Sequence, residues 1–148
     1  MKIVLDTNIL ISGILWKGSP NEILKHIETD KRLELVQSAE TFNELEEVIK
    51  RGKFAEIIEK RHININLILS AIITVCKFYN VSDQTREKIK KEVVIEDIDD
   101  LKFIDLAVEA EADYIISGDN HLLKLERYKS LKIIDTTEFL KIIKSSRL

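Results

Sequence analysis

Little in this chain staples or breaks it. With one cysteine in 148 residues, no disulfide can close within a single chain, as suits a reducing compartment. Cys76 lies in the run Ile72-Ile73-Thr74-Val75-Cys76 and is expected as a small buried hydrophobe rather than a nucleophile. One proline, four glycines and no repeat or low-complexity tract give no reason to divide the chain, so a single domain over 1–148 is expected. Long apolar runs are also missing. The greasiest stretch, Ile63 to Tyr79, contains Asn64, Asn66, Ser70, Thr74 and Lys77, which excludes a span needing about 20 apolar residues. The first apolar run is interrupted by Asp6 and Asn8, unlike a signal peptide. A soluble, cytoplasmic protein with no membrane partner is the expectation.

Excess positive charge is lacking too. A net charge of −3 excludes a general coat for nucleic acid, but not an enzyme that grips it locally. The best basic patch is Lys50, Arg51 and Lys53, although basic residues near helix ends also serve simply to complement the helix dipole. His26, His62 and His121 are scattered without zinc spacing. GxGxxG, GxxxxGK[ST] and GxSxG motifs are all missing, which removes dinucleotide, P-loop and serine-hydrolase chemistry at the first requirement.

What is present is alternation. Lys2 to Leu5 reads as a buried strand, Ile9 to Leu15 as a helix, and Ser19-Pro20 as the cap and first residue of a helix reaching Glu28. Leu33 to Val36 forms a strand, and Ser38 caps a helix from Ala39 to Arg51 that Gly52 stops. Helices follow at Phe54 to Lys60 and Ile63 to Tyr79, the latter apolar nearly all round and therefore either central or a subunit contact. Val81 to Lys91 is partly helical, and Val93 to Ile95 reads as a short strand. Helix Asp100 to Ala112, strand Tyr114 to Ser117, a short helix from Asn120 to Leu125, strand Leu131 to Ile134 and helix Thr136 to Lys144 complete the pattern. Strands separated by helices imply a three-layer α/β/α fold with a mainly parallel central sheet of about five strands.

Ligand sites in such sheets lie beyond the carboxyl ends of the strands. Asp6 and Asp119 each follow a strand directly, so both carboxylates emerge on that edge. Asp6 could merely cap a helix, but Asp6-Thr7-Asn8 is more polarity than a cap requires, and Asn8 is placed to hold the carboxylate or a water. Asp97, Asp99 and Asp100 crowd one helix start. Acids there suit the dipole, yet three so close repel one another unless a cation intervenes. Asp105 and Glu109 fall on a polar stripe of the same helix and are expected to be solvated. Glu44 flanks the apolar face of Phe42, Leu45, Val48 and Ile49, where helical phase alone favours a solvated side chain. Carboxylates without a Cys/His cluster point to Mg²⁺ or Mn²⁺.

Four segments taken together resemble the PIN-domain family, metal-dependent ribonucleases that include VapC-like toxins of prokaryotic toxin–antitoxin operons. They are Val4-Leu5-Asp6-Thr7-Asn8, the helix Ser38 to Val48 with Glu44, Asp97-Ile98-Asp99-Asp100 leading to Ala107, and Ala112-Asp113-Tyr114-Ile115-Ile116-Ser117-Gly118-Asp119. The last is similar to the family's Ala-Asp-Tyr-Leu-Val-Thr-Gly-Asp pattern. The resemblance implies a catalytic set of Asp6, Glu44, Asp100 and Asp119. In it Asp6, Asp100 and Asp119 ligate Mg²⁺ or Mn²⁺, while Glu44 acts through water or another ligand. Asn8, Ser117 and Asp99 support them, Ser117 keeping the hydroxyl of the family's Thr. Leu101 departs from the pattern, replacing an acid often found there. The implied activity is endoribonuclease cleavage of RNA phosphodiesters, with an antitoxin protein and a second copy of the chain as partners. A non-catalytic PIN-fold interaction module and a structure-specific DNA nuclease are the alternatives.

Overall fold

A computed structural model describes residues 1–146; the final two residues of the expected single domain lie outside the described residues. In chain order the elements are β1 (Lys2–Leu5), α1 (Thr7–Leu15), α2 (Ser19–Thr29), β2 (Glu34–Gln37), α3 (Ala39–Ile49), α4 (Gly52–Lys60) and α5 (Ile65–Val75). Then come β3 (Cys76–Phe78), α6 (Asp83–Glu92), a 3₁₀ turn (Ile98–Asp100), α7 (Leu101–Glu109), β4 (Tyr114–Ile116), α8 (Asn120–Leu123), β5 (Arg127–Tyr128), β6 (Leu131–Ile134) and α9 (Thr136–Ser145).

Among the described residues six strands form one sheet in the order β3-β2-β1-β4-β6-β5. Every pairing is parallel except β5 with β6. Side chains of a strand alternate between faces, and the core divides accordingly. Ile3, Leu5, Leu35, Ile116 and Ile134 pack on one side with residues of α1 to α5 and α9. Val4, Val36, Ile115 and Ile133 pack on the other with α6, α7 and α8. Both faces are covered, which is why the strands are apolar without interruption. The expected three-layer fold is borne out.

α1 and α2 approach closely at Gly13, where a Cβ would meet Leu24 Cδ1 at 2.7 Å and the Pro20 carbonyl oxygen at 2.9 Å. Asn21 donates to the Gly13 carbonyl at 2.8 Å and Arg61 to the Leu15 carbonyl, partnering groups left open near the end of α1.

Four local expectations change. The Ile63 to Tyr79 helix ends at Val75, and Cys76–Phe78 straightens into β3. Register with Leu35, Val36 and Gln37 shows why: β2 would otherwise leave an edge of unpaired backbone groups, and ladder bonds override local helix preference. Val93 to Ile95 is not a strand; Val93 is buried while Val94 is 88% exposed, and the chain runs on into the 3₁₀ turn. Ser19 does not cap α2; Gly18 occupies the cap position without a side-chain bond. Gly52, at φ +60°, opens α4 rather than ending α3, which stops at Ile49. Cys76 is half-buried, and burial pushes its thiol up to about 12, so it is no nucleophile at neutral pH. No helix among the described residues is long and apolar enough to cross a membrane.

Candidate functional site

The sheet order reverses at β1: the chain passes from β1 to β2 on one side and later returns to β4 on the other. Such a switch point opens a crevice at the carboxyl ends of the strands. Asp6 leaves β1 and Ser117 leaves β4 at that point, with the Asp6 N–H bonded to the Ile116 carbonyl at 3.1 Å. A cleft of about 120 Å³ is lined there by Asp6, Thr7, Asn8, Glu44, Asp100 and Asp119, with Val48, Phe103 and Leu122 as apolar walls. All four acids singled out by sequence face this one depression.

Asp6 is the most rigidly held. Its Oδ1 accepts the Ile9 N–H at 2.8 Å, so it does cap α1, while Oδ2 accepts the Ser117 hydroxyl and, at 3.3 Å, the Gly118 N–H. Burial pushes its pKa up, and the hydrogen bonds from Ser117 and the backbone oppose that shift by favouring the charged form. Ser117 is fully buried and also accepts the Asp119 N–H at 2.9 Å, joining the two strand-end acids through one hydroxyl. Gly118 is not forced by crowding, since a Cβ there would meet only Ile9 Cδ1 at 3.7 Å. Asp119 caps α8 by accepting the His121 N–H at 2.8 Å.

Asp100 enters from the start of α7. It is buried, and its Oδ2 has no hydrogen-bond partner among the described residues. Burial first, then the charges of Asp119 and Asp97, then a bond with Asp119, then the charge of Glu44, lift its pKa to about 7. Orphaned polar atoms are costly, and the charged groups that raise this carboxyl's pKa are all acids.

Glu44 does not point to solvent as its helical phase suggests. It is held in the cleft by the Thr7 hydroxyl on Oε2 and by Lys102, whose Nζ lies 3.1 Å from Oε1. Neither Thr7 nor Lys102 was singled out by sequence. A lysine two residues after Asp100, on a helix whose neighbouring positions are apolar, was the available signal. Asn8 lines the cleft as an exposed side chain, and the Asp6 carboxylate is held by Ser117 and the backbone.

Other candidates stay outside. Asp99 is exposed and does not line the cleft; its N–H bonds to Asp97 Oδ1 at 3.0 Å within the 3₁₀ turn. Lys50, Arg51 and Lys53 are exposed around the α3–α4 junction, away from the cleft lining. Asp105 was expected in solvent, yet it is half-buried, with Oδ1 buried and lacking a hydrogen-bond partner among the described residues. Burial raises its pKa to about 6, with Arg86 opposing and Glu40 adding to the shift. The reason is α6, which packs over that stripe of α7 and turns a solvent face into a helix seam. Glu109, on the same stripe, accepts the Ser82 N–H at 2.8 Å and the Thr85 hydroxyl at 3.0 Å.

Chemically the cleft offers hard oxygen donors and one orphaned carboxylate oxygen, a set that fits Mg²⁺ or Mn²⁺. No three acid, histidine or cysteine side chains among the described residues converge tightly enough to grip one ion as they stand.

Elsewhere, an apolar groove of about 310 Å³ runs between α1, α2 and α5, lined by Leu10, Ile14, Leu24, Leu67 and Val75 among others. It holds no cluster of acids.

The family model described as PIN domain matches residues 2–121 of the chain. No curated protein gives a match. Solved structures that share the fold include the following two. One is VapBC2 from Rickettsia felis bound to a DNA fragment from their promoter, with 18% identity and a TM-score of 0.61, covering 91% of this chain and 98% of that one. The other is VapBC-1 from nontypeable Haemophilus influenzae, with 20% identity and a TM-score of 0.57, covering 93% and 99%.

Proposed function

This chain belongs to the PIN-domain family, and we propose that its four-acid cleft is the centre of a Mg²⁺- or Mn²⁺-dependent endoribonuclease. The observation carrying that reading is Asp100, a carboxylate with an unpartnered oxygen, whose burial first and acidic neighbours second raise its pKa to about 7. Asp6, Asp100 and Asp119 would hold the ion. When bound, it would lower the pKa of a water and offset charge growing on the phosphate.

The rest follows from what the chain's own groups do. Ser117 and two backbone amides fix Asp6 in one orientation, and fixed second-layer contacts of this kind sharpen a ligand's aim. Asp119 is restrained by capping α8 and by its amide's bond to Ser117. Glu44, held by Thr7 and Lys102, orients water or substrate rather than ligating directly. Asn8, exposed on the cleft wall, is placed to donate to a phosphate oxygen. Phe103, Leu122 and Val48 limit water beside the reacting atoms. Lys50, Arg51 and Lys53 lie outside the cleft and would hold a flanking stretch of strand by salt-sensitive contacts.

As a cytoplasmic toxin, the protein would be kept in check by an antitoxin. Both that partner and a second copy of the chain would use the apolar side formed by α5 and its groove, where Leu67 is 69% and Ile73 50% exposed. The test is cleavage of single-stranded RNA, duplex RNA and flap DNA with Mn²⁺, by wild type and Asp6→Asn. Cleavage of single-stranded RNA lost in Asp6→Asn supports the reading. Preference for the flap makes it a DNA nuclease, and no cleavage of any substrate favours a non-catalytic module.

A further inference from the structure

Lys102 is the one cation that the fold brings against the cleft acids through a direct contact among the described residues. It rises from α7 two residues after Asp100, and its Nζ lies 3.1 Å from Glu44 Oε1. The lysine and glutamate side chains are only 25% and 23% exposed, so this is a half-buried pair rather than a fluctuating surface contact. Glu44's other oxygen accepts the Thr7 hydroxyl. Both oxygens of this carboxylate are therefore engaged by the protein itself.

The other three acids are arranged differently. Asp119 adds its charge to both Asp6 and Asp100. The oxygen without a partner belongs to Asp100. Unmet demand for positive charge is thus concentrated on the Asp6–Asp100–Asp119 side, while the Glu44 side already has its cation.

Two-ion phosphodiester centres place their ions about 3.5–4 Å apart, with carboxylates serving both. A second divalent ion on Glu44 would need the oxygen that Lys102 holds, and would sit beside a positive ammonium in a partly desolvated cleft. Resting on the metal-centre reading above, we propose that Lys102 takes the place of a second metal ion. The cleft is then a one-ion centre on Asp6, Asp100 and Asp119, and Lys102 is a positioning residue that keeps Glu44 out of the coordination sphere.

The experiment is a Mn²⁺ titration of the whole chain, counting bound ions by the loss of the free-Mn²⁺ paramagnetic resonance signal. Circular dichroism checks the fold of each variant. Wild type takes one Mn²⁺ per chain. Lys102→Met frees Glu44, and the count rises to two. Lys102→Arg restores the charge and returns it to one, as does the double variant Lys102→Met with Glu44→Gln. Glu44→Gln alone still takes one ion. Two ions in wild type overturn the proposal whether or not any variant folds. One ion in wild type and still one in folded Lys102→Met removes Lys102's role while leaving the metal centre standing. No ion in wild type removes the metal centre and, with it, the role of Lys102.

Discussion

Two buried carboxyl oxygens without hydrogen-bond partners among the described residues lie five residues apart, one at the N-cap of α7 and one within it, and they illustrate opposite situations. Asp100 lines the cleft, and the charged neighbours of the residue that carries the unpartnered Oδ2, Asp119, Asp97 and Glu44, are all acids. Asp105 Oδ1 lies in the seam with α6, where Arg86 faces it. Arg86 also bonds to Glu40 and, at 2.9 Å, to Asp83. Burial raises both pKa values, to about 7 and about 6. The proposed ion site thus falls on the orphaned carboxylate whose charged neighbours share its sign. Where a guanidinium already stands opposite, the same group is a structural charge.

Neutralising each acid should separate the two residues most widely. Asp100→Asn should lower Mn²⁺-dependent cleavage of a labelled RNA by more than roughly 100-fold, beyond the usual loss from a supporting ligand. Asp105→Asn should stay within about twofold, because it touches neither the ion nor the substrate. Equal losses in the two variants would erase the distinction.

Proton linkage gives a second, smaller effect. The folded pKa of Asp100, about 7, is raised from 3.8, so the folded chain holds this proton more tightly than the unfolded one. Stability from that group is full below the unfolded value and is lost as pH rises through about 7. Without metal, Asp100→Asn should therefore melt higher than wild type at pH 8, by an amount on the order of 2 kcal/mol. The gap should close as pH falls towards 4. A gap independent of pH, read by thermal denaturation, would show that Asp100 is not held as described.

The smallest effect is expected at the seam. Asp105→Asn should also stabilise the metal-free chain at pH 8, by about 1 kcal/mol or less, since Arg86 already offsets part of the burial cost. The gain should fade as pH drops through about 6, following the raised pKa there. A loss of stability instead would mean that Arg86 depends on Asp105 rather than on Glu40 and Asp83.

How far the sequence led can be judged from these same residues. Asp6 and Asp119 were legible because a strand end fixes where the next side chain emerges. Asp100 was legible from charge crowding at a helix start. Glu44 was not: its phase on α3 indicated solvent, and only the motif resemblance placed it, because Thr7 and Lys102 come from elements distant in sequence. Asp105 misled for the same reason, since nothing along α7 says that α6 will cover it. β3 was hidden within an apolar helix pattern because the need of β2 for a partner is tertiary. Local pattern thus located what a single element decides, and missed what two elements decide together.

Thermal denaturation in increasing Mn²⁺ at pH 7.5, on wild type, Asp100→Asn and Asp105→Asn, decides whether Asp100 holds the ion. An ion that binds only the folded state stabilises by about 2.7 kcal/mol at a hundred times its dissociation constant, several degrees for a chain of this size. Wild type and Asp105→Asn should both show that rise, and Asp100→Asn should not. A rise that persists in Asp100→Asn, or one that vanishes in Asp105→Asn, would contradict the account.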